Sequence, residues 1–206
     1  MTTRLYYFHD PMCSWCYAFR PLRKHLQEAL SGRLSWVNVL GGLAADEDTL
    51  MPAPMRDAIQ GHWRRIEQVV PGTRFNYDFW SECEPRRSTW PACRAVIAAT
   101  LQGKDYEEKM IESIQDAYYR QAKNPSDYST HHELAAKLGL DTERFASDLV
   151  STDTEEELQA QLRLTSEFGV RGFPSLVLET TKGAYAIEID YNNEKAMREA
   201  IENLLA

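Results

Sequence analysis

The sequence has no long hydrophobic run, no excess of basic residues and few cysteines. No apolar segment approaches the roughly 20 residues that a helix needs to cross a bilayer, so we expect no membrane-spanning segment. The chain contains 23 Lys and Arg against 31 Asp and Glu, a formal net charge of −8 at pH 7. An acidic surface repels phosphate backbones, so the composition disfavours a general nucleic-acid-binding protein.

The sequence also has no internal repeat, no low-complexity segment and no signal-peptide pattern. Its N-terminus enters a strand pattern at once, without the apolar segment of a secretory leader, so we expect a soluble cytoplasmic protein. Its 206 residues, 43% of them hydrophobic and 26% charged, suffice for one packed domain or one domain with a large insertion.

The few cysteines are informative because of their spacing. Four cysteines in this length are too sparse for a secreted scaffold held by disulfides. Cys13-Ser14-Trp15-Cys16 is a Cys-x-x-Cys motif, whereas Cys83 and Cys93 are separated by nine residues, which is not the spacing of a zinc knuckle. Redox chemistry, a structural zinc site and two inert cysteines are therefore the interpretations to weigh.

The two ends of the chain predict a mixed α/β fold. Strands are predicted over 4–9 and 34–40, with a helix from Cys13 to about Leu30 between them, and this order implies a parallel pair. The C-terminal part predicts a strand over 175–179, an antiparallel partner and a closing amphipathic helix.

The middle of the chain predicts a block of helices. Two capping-box patterns, Thr130-x-x-Glu133 and Thr154-x-x-Glu157, predict helix starts, and Asp141 is predicted to cap a short helix. Segment 75–87 has no clear period and is predicted to be an extended loop. The remaining predicted helices span 55–70, 91–101 and 106–121.

A cysteine pair at the start of a helix suits thiol–disulfide exchange. The first helical turn has unpaired N–H groups and a partial positive charge, which stabilise a thiolate. Cys13 is predicted there, and Cys16 lies one turn later on the same face, where it can attack a mixed disulfide formed on Cys13. Cys16 is expected to be the more buried and the less acidic of the two.

A metal site is the weaker alternative. The adjacent His131 and His132 point about 100° apart on a helix and make a poor chelate. Since no second pair has zinc spacing, we favour redox chemistry and predict no metal site.

The segment from Val170 to Ser175 is the second element of interest. Pro174 precedes a predicted buried strand, and most X-Pro bonds are trans, so on its residues alone it is a proline that starts a strand. A cis bond would instead leave the backbone edge of Phe173 free to pair with an extended substrate.

These motifs together resemble those of a DsbA-family member of the thioredoxin superfamily. The matching segments are 7–16, Pro21 and 169–174, in which Pro21 matches a helix-kinking proline and Pro174 matches the superfamily's cis-proline. Segments 91–95 and 117–145 also resemble the FrnE-like cytoplasmic branch. The resemblance covers essentially the whole chain.

The resemblance implies a thioredoxin-like α/β fold with a large helical insertion. Residues 1–44 and 153–206 would form the thioredoxin-like domain and 45–152 the insertion. Many thioredoxins carry a buried acid six residues before the first cysteine, where this chain has Tyr7, so His9 and Asp10 are the candidate substitutes.

The resemblance also implies a set of site residues. The catalytic set is Cys13, Cys16 and Pro174, and the substrate-binding set is Ser14, Trp15, Phe173 and Cys93. Cys93 resembles a position that faces the active site in relatives, although a small buried apolar residue is the more common role of such a cysteine.

The sequence is compatible with three functions. The first is a thiol–disulfide oxidoreductase acting on disulfide- or thiol-bearing proteins or small molecules, without a resident cofactor and with glutathione as a candidate co-substrate. The second is a glutathione-dependent isomerase or transferase of the 2-hydroxychromene-2-carboxylate isomerase type, which does not need the second cysteine. The third is a non-catalytic binding module. The intact Cys-x-x-Cys favours the first.

Overall fold

A four-stranded mixed sheet forms the centre of the protein. In the computed structural model, which describes residues 3–205, the strands are β1 (Arg4–His9), β2 (Ser35–Leu40), β3 (Ser175–Thr180) and β4 (Gly183–Ile187), in the order β2-β1-β3-β4. Strand β1 is parallel to β2 and antiparallel to β3, and β4 is antiparallel to β3. The parallel pair of β1 with β2 and the antiparallel pair of β3 with β4 are those predicted, whereas the pairing of β1 with β3 was not predicted.

The pairing of β1 with β3 brings the two sequence motifs to one edge of the sheet. Phe8 lies opposite Ser175, so the end of β1 meets the start of β3. The Cys-x-x-Cys segment that follows β1 and the Phe173–Pro174 segment that precedes β3 therefore lie side by side.

Most of the remaining chain is helical. The helices are α1 (Ser14–Ala29), α2 (Ala53–Val69), α3 (Phe79–Glu82), α4 (Trp90–Thr100), α5 (Asp105–Gln121), α6 (Tyr128–Lys137), α7 (Thr142–Leu149), α8 (Thr152–Glu167) and α9 (Glu194–Leu205). Pro21 lies inside α1. Over residues 3–205, none of these helices has the length and apolarity to span a membrane.

The alternating side chains of β1 build a core on each face of the sheet. Leu5 and Tyr7 pack with residues of α1 and α9 on one face. Tyr6 and Phe8 pack on the other face with the C-terminal end of α8. The sheet is thus covered by helices on both sides, and the thioredoxin-like fold predicted from the sequence is confirmed.

The helical block has its own core and also contacts α1. Helix α4 is buried among α5, α6, α7 and α8. A cluster of aromatic side chains from α2, α3 and α5 packs against Tyr17 and Ala18 of α1. The predicted division at 44/45 and 152/153 stays a prediction, and residues 1, 2 and 206 of it lie outside the described residues.

Both capping-box predictions were wrong. Helix α8 begins at Thr152, because Ser151 is its N-cap residue and the Ser151 hydroxyl accepts a hydrogen bond from the Thr154 amide. Helix α6 begins at Tyr128, and the Thr130 hydroxyl donates to the Asn124 carbonyl. In both cases a residue earlier in the chain starts the helix, so each threonine lies inside its first turn.

Two further predictions had different outcomes. Asp141 caps α7 as predicted, with its side chain accepting from the Arg144 amide. Segment 75–87 is not wholly extended, because it contains the short helix α3, whose Phe79 is buried in the aromatic cluster.

Candidate active site

Cys13 occupies the N-cap of α1. Its backbone is extended, with φ −83° and ψ 117°, and its sulfur accepts a hydrogen bond from the Cys16 amide at 3.4 Å. Its own amide donates to the Asp10 carbonyl at 3.0 Å. One of the N–H groups that the first turn of α1 leaves without a helical partner, that of Cys16, therefore donates to the Cys13 sulfur.

Cys16 lies deeper than Cys13. Cys16 has no exposed surface, whereas Cys13 is 6% exposed and lines a groove. Burial, and then the neighbouring Cys13, raise the pKa of the Cys16 thiol well above its usual range. Both residues are free thiols in this structure, and of the two only Cys13 keeps some exposed surface.

The Phe173–Pro174 peptide lies beside Cys13, and its peptide bond is cis. The Cys13 thiol donates to the Phe173 carbonyl, with 3.4 Å between sulfur and oxygen. The Phe173 ring covers Gly41, where a Cβ atom would overlap the ring. Phe173 thus contacts the Cys13 sulfur through its carbonyl and the loop after β2 through its ring.

Asp10 is a fully buried carboxyl group at the base of the site. It accepts hydrogen bonds from the amides of Met12 and Leu43, each at 2.7 Å, and from the Thr89 hydroxyl at 2.6 Å. Burial raises its pKa, and these hydrogen bonds oppose that effect. Because its partners belong to the turn before α1, the loop after β2 and the start of α4, Asp10 joins three segments around Cys13.

His9 is a poorer substitute for the buried acid of thioredoxins. It is fully buried, its ring stacks on Tyr7 with centroids 4.9 Å apart, and neither ring nitrogen has a hydrogen-bond partner among the described residues. Burial lowers its pKa to about 3. Of the two candidates, Asp10 therefore offers a buried carboxyl group, while His9 stays neutral at physiological pH.

The other two cysteines lie away from the groove surface. Cys93 has no exposed surface, and its thiol contacts Asp10 with 3.8 Å between sulfur and oxygen. The structure therefore places Cys93 under the site rather than where a substrate could touch it, which differs from the substrate-binding position we expected. Cys83 is half-buried, and its thiol donates to the Ala122 carbonyl at 3.0 Å.

A cavity of about 340 Å³ opens at Cys13. It brings together the predicted residues Ser14, Trp15 and Phe173, whereas Pro174 and the buried Cys16 and Cys93 are not among the residues that line it. The sequence did not identify the rest of its wall. That wall is formed by Met12, Leu43, Met55, Ala58, Ile59, His62, Trp63, Arg87 and Tyr118. The one signal in the sequence for these residues is the set of aromatic residues Trp63, Phe75, Tyr77, Phe79 and Trp80, because such a set can line a groove or fill a core.

Two other observations concern binding sites outside this groove. A larger cleft of about 790 Å³ lies around Cys83, but its cations are paired, Arg86 with Asp127 and Lys123 with Glu133. Within residues 3–205 no group of three or more His, Cys, Asp or Glu side chains is arranged to hold a metal ion.

The fold and the Cys13–Cys16 pair define the DsbA-like class of thioredoxin-fold oxidoreductases, as the resemblance implied. A family model described as thioredoxin matches residues 6–198, so the chain belongs to the thioredoxin family.

Solved structures support the same fold over the whole chain. A candidate protein disulfide isomerase from Nitrosomonas europaea is 25% identical, with a TM-score of 0.84 over 100% of this chain and 98% of that one. The cytosolic disulfide reductase DsbM from Pseudomonas aeruginosa is 24% identical, with a TM-score of 0.76 over 98% of this chain and 96% of that one.

The curated relatives are longer proteins. The ClpXP adapter protein SpxH of Bacillus subtilis is 26% identical over 179 residues, which is 86% of this chain and 58% of that protein. The chain thus spans less than two thirds of the length of the curated relatives that it matches.

Proposed function

We propose that this protein is a thiol–disulfide oxidoreductase that exchanges disulfides with protein or small-thiol substrates. The observation that carries the proposal is the position of the Cys13 sulfur, which lies at the N-cap of α1, at the mouth of the groove, and 3.4 Å from the Phe173 carbonyl oxygen. A sulfur in this position is accessible to a disulfide and has backbone groups on either side of it.

The proposed reaction has two balanced steps. The Cys13 thiolate attacks one sulfur of a substrate disulfide, so that a mixed disulfide forms and the other sulfur leaves as a thiolate. Cys16 then loses its proton and attacks the Cys13 sulfur, which releases the second substrate thiolate and leaves a Cys13–Cys16 disulfide. The enzyme is oxidised by two electrons and the substrate disulfide is reduced by two. The same steps in reverse oxidise a dithiol.

The backbone next to Pro174 would position the substrate. The Phe173 carbonyl is adjacent to Cys13, and it would accept a hydrogen bond from an extended substrate segment in the manner of strand addition. Proline has no N–H to donate at the next position, so Pro174 would leave that edge unpaired by the protein. Ser14 and Trp15, which line the groove beside Cys13, would contact the substrate.

We further propose glutathione as a co-substrate and the cytoplasm as the place of action. The support comes from a structure of DsbM from Pseudomonas aeruginosa with GSH, which has a TM-score of 0.74 to this chain. That DsbM is described as cytosolic. A metal ion, a nucleic acid and a membrane have no part in the proposal.

Reduction of insulin with dithiothreitol as electron donor tests the proposal. We expect Cys13→Ser to abolish the catalysed reduction. When the reduced Cys16→Ser variant is mixed with insulin after dithiothreitol has been removed, we expect a covalent adduct to accumulate, detected as an increase in mass, because no second thiol cleaves the mixed disulfide on Cys13. Cys83→Ser is the matched control, because Cys83 lies outside the groove, and it should keep the wild-type rate.

The same experiment separates the alternatives. A glutathione-dependent isomerase needs no second cysteine and does not reduce disulfides, so the absence of catalysed insulin reduction in the wild-type protein would favour that function. Full turnover by the Cys16→Ser variant would instead show that Cys16 does not resolve the mixed disulfide. A binding module such as an adapter needs neither thiol, so unchanged insulin reduction in the Cys13→Ser variant would remove the oxidoreductase proposal altogether.

A further inference from the structure

The groove at Cys13 is positively charged although the protein is acidic. The chain has a formal net charge of −8, yet the titratable side chains that line the groove, apart from Cys13 and Tyr118, are Arg87 and His62. No Asp or Glu is among the described residues that line it. The charge of the groove is therefore opposite to that of the molecule.

Arg87 has the features of a ligand-binding arginine. It is half-buried in the groove wall, and the ion pairs found among residues 3–205 do not include it. The neighbouring arginines differ, because Arg86 pairs with Asp127 and Arg94 with Asp46. Arg87 thus lines the same groove as Cys13 and has no ion pair with a carboxylate of the described chain.

Asp10 does not neutralise Arg87 in the way an ion pair would. The charge of Arg87 lowers the pKa of Asp10, but this effect is smaller than those of burial and of the three hydrogen bonds from Thr89, Leu43 and Met12. Those hydrogen bonds already occupy both carboxylate oxygens of Asp10. Arg87 therefore keeps donors for a group that enters from the groove.

We propose that Arg87 is a carboxylate-binding subsite that makes the enzyme select anionic low-molecular-weight disulfides and thiols. The inference rests on the proposed oxidoreductase function and names its substrate class. A guanidinium group binds a carboxylate through two parallel hydrogen bonds. The exposed His62 of α2 also lines the groove and would add a second donor. A cavity of about 340 Å³ is the size of a small-molecule site.

The test measures the second-order rate at which disulfides oxidise the reduced enzyme, with the products identified by mass. Oxidised glutathione carries carboxylates, whereas hydroxyethyl disulfide is neutral and cystamine is cationic. No electron donor is needed, because the Cys13–Cys16 dithiol supplies both electrons in a single turnover. The wild-type rate with hydroxyethyl disulfide reports the proposed function independently of the subsite.

We expect Arg87→Gln to slow oxidation by glutathione disulfide roughly tenfold or more, as the loss of a charge-assisted hydrogen bond predicts. The rates with hydroxyethyl disulfide and cystamine should stay within about twofold to threefold of wild type. Arg87→Lys, which keeps the charge without the paired donors, should fall between wild type and Arg87→Gln.

Arg65→Gln is the matched control, since it makes the same charge change on the exposed surface of α2 outside the groove. An unchanged ratio of the glutathione rate to the hydroxyethyl disulfide rate in Arg87→Gln would overturn the subsite, whether both rates fell or neither did. Failure of wild-type enzyme to react with either disulfide would instead overturn the proposed function.

Discussion

The Cys13 sulfur and the Phe173 carbonyl oxygen lie 3.4 Å apart, although the two residues are separated by 160 positions in the chain. Cys13 is fixed from its own side by the first turn of α1. Phe173 is fixed from the other side by the antiparallel pairing of β3 with β1 and by the contact of its ring with Gly41. The proposed site therefore depends on a long-range contact as much as on the cysteine motif.

Gly41→Ala should disturb that contact. The added methyl group would overlap the far end of the Phe173 ring, so the ring must shift. We expect the backbone of Phe173 to shift with it and the contact of its carbonyl with Cys13 to be lost. We expect insulin reduction to fall at least about fivefold, since small displacements at a reacting centre are costly, and the free energy of unfolding to fall by about 1–3 kcal/mol.

Gly172→Ala is the control for this change. It places a methyl group next to Phe173 in the chain, but nothing lies within 4 Å of the added atom. Wild-type activity in Gly41→Ala would show that the position of the Phe173 carbonyl is not required.

Asp10→Asn should destabilise the protein through hydrogen bonding. The asparagine has one acceptor oxygen, and its NH₂ group would face the donors of Met12, Leu43 or Thr89. We expect a loss of about 1–3 kcal/mol in the free energy of unfolding, measured by urea denaturation. The exposed Asp48→Asn is the control and should change stability little.

The effect of Asp10→Asn should also depend on pH. Burial raises the pKa of Asp10 in the folded state. The stability linked to this group is therefore fully present below the unfolded pKa and is lost as pH rises through the folded pKa. The difference in unfolding free energy between wild type and Asp10→Asn should narrow as pH rises above about 4. A difference that widens with pH would contradict this sign.

His9→Phe should make the protein less sensitive to acid. Burial lowers the pKa of His9 to about 3 and that of His131 to about 4. As pH falls, each histidine becomes protonated at a higher pH in the unfolded chain than in the folded one. The free energy of unfolding therefore decreases below about pH 6.5, by about 1.4 kcal/mol per pH unit for each histidine.

Phenylalanine keeps the stacking on Tyr7 without the proton site, so the acid limb of a plot of unfolding free energy against pH should become shallower. His25→Phe changes an exposed histidine of α1 and should leave the slope of that limb unchanged. An acid limb equally steep in His9→Phe and wild type would show that His9 does not titrate on unfolding.

Cys93→Ala should leave insulin reduction largely intact. The side chain has no exposed surface, and its thiol donates to the Asp10 carboxylate with 3.8 Å between sulfur and oxygen. We expect a stability loss of about 1 kcal/mol from the small cavity, measured by urea denaturation. A large fall in the rate of reduction at unchanged stability would place Cys93 in the redox machinery.

The sequence determined the elements whose signals are local. The i, i+3 spacing of Cys13 and Cys16 after a strand predicts a cysteine pair at a helix start, because one helical turn brings these positions together. The order of elements predicted the parallel pair of β1 with β2 and the antiparallel pair of β3 with β4, whose strands are neighbours in the order of strands along the chain. The pairing of β1 with β3 was decided by the tertiary structure. Asp141 was identified as a cap for the same reason, since its partner is three residues away.

Tertiary structure decided everything that depends on packing between distant segments. The burial of Asp10, the contact of Phe173 with Gly41 and the inward position of Cys93 each join residues far apart in the chain. Arg87 gave no sequence signal, because an unpaired arginine and a paired one such as Arg86 look alike until their neighbours are placed. Periodicity records which residues are one turn or one pleat apart, whereas the composition of a groove wall is set by how helices and sheet pack.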